Sequence, residues 1–122
     1  MVKPARLWQP AALLALVGLL GGCGDDAAPP ATANAAALAP ADPALAKIYD
    51  SSCKLCHANP ASGAPQSGDA KAWQPRVAQG ADSLLDHSIN GYKGMPPMGM
   101  CMQCSEDEFL ALISFMSGQP VQ

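Results

Sequence analysis

The chain has 122 residues, which is enough for one small domain. Seven Lys and Arg against ten Asp and Glu give a net charge of −3, so an electrostatic nucleic-acid binder is excluded. Only two residues each of Trp, Tyr and Phe occur, which rules out a large core built from side chains alone.

The first 22 residues have the pattern of a secretory signal. Lys3 and Arg6 precede an apolar run at 11–20, and small residues follow it. A run of ten residues is too short to cross a bilayer, which takes about 20 apolar residues. The pattern therefore predicts export into an oxidising compartment.

The junction Leu20-Gly21-Gly22-Cys23 is similar to the lipobox of bacterial lipoproteins. The resemblance implies a lipoprotein signal at 1–22 and an acyl anchor on Cys23. The alternative is ordinary cleavage near Gly22, which leaves a free thiol. Residues 24–41 are rich in Ala and Pro and cannot bury a core. We therefore expect 23–41 to be a lipidated cysteine and a tether, and 42–122 to be the folded domain.

The folded domain begins with helical patterns. Asp42 supplies an N-cap and Pro43 suits the first helical position, so we expect a helix that runs into the cysteine motif at Cys53. Asp69–Trp73 predicts a short helix that is interrupted or restarted at Pro75.

Two further helices follow. We expect Asp82 to cap a segment that Asn90-Gly91 stops. Ser105 and Glu108 form a capping box for the last helix, which Gly118 ends. Apolar residues recur at helical spacing in both, at Leu84, Leu85 and Ile89 and at Phe109, Leu112, Ile113 and Met116. No segment reads as a convincing strand, and the sequence predicts an all-α fold.

Two long loops, 59–68 and 91–104, are dense in Gly and Pro. They are too long to be incidental turns in so small a domain. We expect them to wrap around a bound group.

The segment Cys53-Lys54-Leu55-Cys56-His57 is the Cys-X-X-Cys-His signature for covalent attachment of c-type haem. Two cysteines three residues apart can reach two vinyl groups on one edge of a porphyrin. His57 then falls beneath the iron as the proximal ligand. Its second ring nitrogen needs a hydrogen-bond acceptor to fix the tautomer.

A four-thiolate zinc site is an alternative, because Cys101 and Cys104 form a second Cys-X-X-Cys pair. The 44 residues between Cys56 and Cys101 exceed the usual spacing, and zinc gives no reason for a histidine directly after Cys56. Haem explains more of the pattern.

The sixth iron ligand is expected from the methionine-rich loop. Met95 is the favoured candidate, because Gly94 allows backbone to approach the macrocycle and Pro96-Pro97 stiffen the loop. A neutral thioether raises the reduction potential relative to a second imidazole. Any of the other methionines there, Met98, Met100 or Met102, is an alternative ligand.

Without haem, the same methionines together with His87 suit Cu(I) in an exported copper-binding protein. This function leaves the segment from Cys53 to His57 unexplained.

Cys101 and Cys104 remain after the other cysteines are assigned. In an oxidising compartment we expect them to form a local disulfide that shapes the turn before the last helix. A redox-active dithiol is the alternative.

From Tyr49 to Met116 the sequence resembles the bacterial class I monohaem cytochromes c, and most closely the cytochrome c-five subgroup. The resemblance rests on an ordered set of motifs: Cys53 to His57, Gly63-Ala64-Pro65, Gly68-Asp69, Trp73-Gln74-Pro75-Arg76, Gly91-Tyr92-Lys93-Gly94-Met95-Pro96-Pro97 and Cys101-Met102-Gln103-Cys104-Ser105. The chain departs from the pattern at Met98 and Met100, where we would expect Lys and Gly.

The resemblance implies a small helical domain wrapped around one covalently bound haem c. It implies His57 and Met95 as axial ligands, a Cys101–Cys104 disulfide, and the Pro65 carbonyl as acceptor for His57. Trp73 or Arg76 would lie near a haem propionate. The helices that carry Tyr49 and Phe115 would cross each other.

With two axial ligands the iron has no open position, so the expected function is one-electron transfer and not catalysis. We expect the carrier to serve a respiratory chain on the periplasmic side of a bacterial membrane, lipid-anchored or else soluble in the periplasm. Its expected partners are redox proteins of the periplasm or inner membrane, which would dock through small, transient contacts.

Overall fold

The computed structural model describes residues 35–122. Within that part the regular elements are five α-helices and two short 3₁₀ turns, and no strand occurs. The helices are α1 (Pro43–Ser51), α2 (Lys54–His57), α3 (Ala70–Val77), α4 (Ala81–Asn90) and α5 (Glu106–Ser117), and the 3₁₀ turns are Pro60–Ser62 and Pro97–Met100. The predicted all-α fold is confirmed.

The first helix ends before the cysteine motif, so the prediction that it runs into Cys53 is wrong. Asp42 caps α1 as expected and accepts from the backbone N–H groups of Ala44 and Leu45, each at 2.9 Å. At Ser52 the backbone leaves the helix, with φ −133° and ψ −83°. The Ile48 carbonyl accepts the Ser52 hydroxyl at 2.5 Å and also the Ser52 N–H at 3.1 Å, so the helical ladder is kept up to the residue at which the backbone turns. Helix α2 can therefore start in a new direction.

Helix α3 passes through Pro75 without interruption, contrary to expectation. Proline removes one N–H donor from the ladder. The carbonyl that loses this bond is that of Lys71. Two side chains bond other carbonyls of the same helix: Arg76 donates to the Ala72 carbonyl at 2.5 Å, and Gln79 donates to the Pro75 carbonyl at 3.2 Å. Packing of the buried Trp73 also holds the helix in place.

Asp82 is not the cap of α4. The helix begins at Ala81, and the preceding residue is Gly80 at φ 90°, a backbone conformation that favours glycine. Asp82 lies in the first turn instead, where its negative charge suits the positive end of the helix.

The last helix begins with the predicted capping box. The Ser105 N–H donates to the Glu108 carboxylate at 2.8 Å, and the Glu108 N–H donates to the Ser105 hydroxyl at 3.3 Å. The hydrogen bonds from the Ser105 backbone and side chain hold the pKa of Glu108 below its usual range. Gly118, at φ 68°, ends the helix.

The core lies where α1, α3 and α4 pack against α5. Tyr49 of α1 meets Phe115 of α5 edge to face, with ring centroids 5.0 Å apart. The buried residues of this main core are Tyr49, Cys53, Trp73, Leu84, Leu112, Ile113, Met116 and Val121. A second, smaller cluster contains Cys101, Cys104 and Phe109, with Met98 packed against it.

The described part of the predicted tether, residues 35–41, contacts the domain. Ala35 is fully buried, and Leu38 lies so close to Gly68 that a Cβ there would be 2.9 Å from the Leu38 Cδ1 atom. The predicted signal at 1–22 and Cys23 lie outside the described residues. None of the described helices is long and apolar enough to span a membrane.

Candidate cofactor site

A cleft of about 220 Å³ lies between the cysteine motif and the methionine-rich loop. Its walls come from both loops that the sequence predicted to wrap a bound group and from the main core. The lining includes Ser52, Cys53, Cys56, His57, Pro65, Trp73, Arg76, Leu84, His87, Tyr92, Met95, Met100, Ile113 and Met116. A largely apolar cleft of this kind suits a flat, apolar cofactor.

The two cysteines of the motif are brought to this cleft by the short helix α2. Cys53 is buried, Cys56 is half-buried, and both are free thiols. Burial raises the pKa of the Cys53 thiol, and the hydrogen bond with Ser52 opposes this shift only in part. Two free thiols in the lining of one cleft are what thioether attachment to one porphyrin edge requires.

His57 is held in one tautomer. Its Nδ1 atom lies 2.8 Å from the Pro65 carbonyl oxygen. Because a carbonyl can only accept, Nδ1 carries the proton and Nε2 keeps its lone pair. Burial lowers the pKa of His57, as does the charge of Arg76, while the bond to Pro65 raises it. The imidazole is therefore in the neutral form that binds metals, which fits a haem iron.

Met95 is fixed by its backbone. Its N–H donates to the Tyr92 carbonyl at 2.9 Å and its carbonyl accepts from the Tyr92 N–H at 3.1 Å. A Cβ at Gly99 would lie 3.0 Å from the Met95 Cε atom, so glycine leaves room for this side chain.

The other methionines are placed differently. Met100 also lines the cleft but is 59% exposed, and Met102 is 75% exposed and does not line it. Met98 packs against the small Cys101–Phe109 cluster. Among the methionines of the 91–104 loop, Met95 is therefore the half-buried one at the cleft, and Met100 is the second one that lines it.

Trp73 and Arg76 both line the cleft. Trp73 has a single donor, Nε1, which donates to the Gln66 carbonyl at 2.9 Å. Trp73 therefore has no donor left for a bound group. Arg76 has five N–H donors and makes one recorded hydrogen bond, so it retains donors for an anionic group.

The second cysteine pair is joined by a disulfide between Cys101 and Cys104, outside the cleft lining. A four-thiolate site is therefore not formed. Within residues 35–122 no group of three or more His, Cys, Asp or Glu side chains is arranged to hold a metal ion. His87 stacks on the Tyr92 ring at 3.8 Å between centroids, in the lining of the same cleft.

Sequence reasoning missed the polar residues that hold the 59–68 loop. The buried Gln66 amide donates to the carbonyls of Cys56, Asn59 and Ala64 at 3.3, 3.2 and 2.8 Å. No local pattern distinguishes such a glutamine from a solvated one. The Gly- and Pro-rich loop was the single signal that something is wrapped here.

The neighbouring Ser67 was missed as well. Its N–H donates to the His57 carbonyl at 2.7 Å, and its hydroxyl shares a buried 2.8 Å hydrogen bond with the Tyr49 hydroxyl. The residue links the main core to the backbone of the cysteine motif.

Comparison with known proteins agrees with this architecture. A family model described as cytochrome c oxidase, cbb3-type, subunit III matches residues 40–116. Cytochrome c5 of Azotobacter vinelandii is 44% identical over 68 residues, which are 54% of this chain and 82% of that protein. Cytochrome c-555 of Chlorobaculum tepidum is 41% identical over 75 residues, covering 58% of this chain and 69% of the relative.

Solved structures of cytochromes c are also similar to this chain. A mono-haem ferrocytochrome c from Shewanella putrefaciens superposes with a TM-score of 0.56 at 37% identity, covering 64% of this chain and 94% of that one. A cytochrome c in an electron-transfer complex with nitrite reductase gives 0.55 at 42% identity, covering 63% of this chain and 94% of that chain.

The helical fold and the thiol-lined cleft define a small domain that carries one covalently bound haem. The chain belongs to the cytochrome c family, among the class I monohaem cytochromes c, whose cofactor is haem c. Its activity is electron transfer. The zinc and copper alternatives are replaced by this assignment.

Proposed function

We propose that this chain is an exported, membrane-anchored one-electron carrier of a respiratory chain, with thioether bonds from Cys53 and Cys56 and with His57 and Met95 as the axial ligands of its iron. The observation that carries the proposal is the His57 ring. Its Nδ1 proton is committed to Pro65, Nε2 keeps its lone pair, and His57 and Met95 line the same cleft.

The haem supplies a ferric/ferrous couple when it is bound. The chain contributes the ligands and the surroundings. The Pro65 carbonyl orients His57 and strengthens its basicity, as acceptors to metal-bound imidazoles do. The soft, uncharged thioether of Met95 favours the ferrous state. If His57 and Met95 both bind the iron, no position would remain for oxygen or peroxide, and the protein would transfer electrons without catalysing a reaction.

Arg76 is proposed to bind a haem propionate. It lines the cleft, retains free donors and is positively charged. Trp73 belongs to the haem environment through packing, because its only donor is used by Gln66.

Redox proteins are the proposed partners, and the cleft rim is the proposed contact. Tyr92 and Met100 line the cleft and are 42% and 59% exposed, so they give the rim an apolar surface. Small apolar contacts suit a carrier that must bind and release quickly. A related cytochrome c forms an electron-transfer complex with nitrite reductase, which supports a partner of this kind.

The periplasmic face of a bacterial membrane is the proposed location. The signal at 1–22 supports export, and the lipobox-like junction supports an acyl group on Cys23. A tether from a lipid anchor raises the effective concentration of membrane-bound partners.

Substitution Cys23→Ser should move the protein from the membrane to the soluble periplasmic fraction while it keeps its haem. Fractionation after growth with a labelled fatty acid measures both the label and the location. Cys101→Ser is the matched control, because it removes a cysteine within the folded domain and should keep the label. If the wild-type protein is unlabelled and lies in the soluble fraction, the acyl anchor on Cys23 is refuted, and the protein is a soluble periplasmic carrier.

Potentiometry of the matured wild-type protein tests the carrier function. The titration should follow a single one-electron step, and the spectra should stay low-spin in both oxidation states, since two protein ligands hold the iron. Carbon monoxide added to the ferrous protein should leave the spectrum unchanged. A high-spin ferrous iron that takes up carbon monoxide readily would overturn the proposal in favour of a ligand-binding haem.

A further inference from the structure

The ring of Trp73 lies against the ring of His57. Their centroids are 5.5 Å apart and the planes are inclined by 27°, which is a stacked arrangement. Both side chains are buried, at 4% and 7% exposure. This contact is independent of the hydrogen bond from His57 to Pro65.

A hydrogen bond and a stacked ring constrain an imidazole differently. The bond from Nδ1 to the Pro65 carbonyl fixes one atom and the tautomer, but the ring can still rock about the line that joins donor and acceptor. A flat aromatic neighbour restricts the plane of the ring. Contact between two buried aromatic rings favours the paired orientation over other orientations of the rings about two- to tenfold.

The indole is itself held. Its Nε1 donates to the Gln66 carbonyl at 2.9 Å, and the Gln66 side-chain amide donates to the carbonyl of Cys56 in α2 and to those of Asn59 and Ala64 in the same loop. Three consecutive residues thus act on His57. Pro65 binds its ring, Gln66 holds the tryptophan that stacks on it, and Ser67 donates to its backbone carbonyl at 2.7 Å.

We propose that Trp73 is a positioning residue that sets the plane of the His57 imidazole, with the Gln66 carbonyl as its anchor. The inference rests on the proposed ligation of the iron by His57. Residues around a metal ligand tune the metal through the orientation of that ligand. The role differs from donation to a propionate, for which Trp73 has no hydrogen left.

The test uses the matured holoprotein with ¹⁵N-labelled histidine. The chain has two histidines, so the imidazole spectrum contains only His57 and His87. Two readouts are recorded: the exchange rate of the His57 Nδ1 proton in the ferrous state, and the pattern of haem methyl shifts in the ferric state, which follows the plane of the axial imidazole.

Three variants separate positioning from general stability. Trp73→Leu removes the stacked ring. Trp73→Phe keeps an aromatic face but removes the donor to Gln66, and it is the milder change if the leucine variant folds poorly. Tyr49→Phe is the matched control. It removes one buried hydrogen bond to Ser67 of the same loop and changes neither the Trp73 nor the His57 side chain.

Trp73→Leu should speed the exchange about five- to tenfold and rearrange the methyl pattern, because the ring plane is released. Trp73→Phe should produce a smaller change of the same kind. Tyr49→Phe should lower the unfolding midpoint while it leaves the methyl pattern as in the wild type.

Two results would count against separate claims. A wild-type spectrum without an iron-bound His57 imidazole would overturn the proposed ligation. An iron-bound His57 whose exchange and methyl pattern are unchanged in Trp73→Leu would overturn the positioning role alone, and so would equal changes in Trp73→Leu and Tyr49→Phe.

Discussion

A Cys53→Ser/Cys56→Ser double variant, exported with the haem maturation machinery, should carry no haem that survives a denaturing gel. Both thiols lie on the wall of the cleft, and their replacement leaves no sulfur there for a thioether. The variant should also be unstable. Without the cofactor the largely apolar walls of the cleft face water, so the hydrophobic stabilisation that the haem supplies is lost.

The matched control is Cys101→Ser/Cys104→Ser. It also removes two cysteines at the same spacing, but these are joined in a disulfide next to Phe109 and outside the cleft lining. This control should keep the haem stain and lose some thermal stability. A folded Cys53→Ser/Cys56→Ser protein that still stains, or a control that loses its stain to the same degree, would refute the attachment site.

Met95→Ala should open the iron to external ligands. In the wild type a ligand such as imidazole can bind only to molecules whose methionine has dissociated, so its apparent affinity is reduced by that small fraction. If the fraction is about 1%, the alanine variant should bind imidazole about a hundredfold more tightly. Titration of the ferric spectrum measures the affinity. The reduction potential should fall, within the span of about 0.8 V that axial ligands cover.

Met98→Ala and Met100→Ala are the controls in the same loop. Met98 packs against the second, smaller cluster that contains the disulfide and Phe109, and Met100 is more than half exposed at the cleft rim. Both controls should keep the low-spin spectrum and the weak imidazole affinity of the wild type. If Met100→Ala opens the iron and Met95→Ala does not, Met100 is the ligand.

The chemistry of the site could be predicted because the residues that determine it are neighbours in the sequence. Cys53, Cys56 and His57 are close in the chain, and their spacing alone brings them to one wall. The residues that hold His57 in position were harder to predict from the sequence. The resemblance to known cytochromes implied Pro65, but Gln66 and Ser67 act through contacts with distant residues such as Tyr49. Ordinary polar side chains in a loop give no periodic signal, and only the folded chain shows them buried.

The helices show the same division. Caps that depend on adjacent residues were predicted correctly at Asp42 and at Ser105. The errors arose where another contact outweighed local preference. The backbone leaves the helical region at Ser52, Pro75 is accommodated in a helix whose Trp73 is buried, and Gly80 takes the place of Asp82 before α4.

The turn before the disulfide restricts how this sequence can vary. Met98, Gly99 and Met100 have φ values of 59°, 54° and 65°, three left-handed residues in succession. A non-glycine residue in this conformation costs roughly 1 to 2 kcal/mol. The Gly expected at 100 from related cytochromes would avoid that cost. Substitutions should therefore drift toward glycine or asparagine at both methionines, and valine or isoleucine should be purged, because a branched Cβ fits this backbone worst.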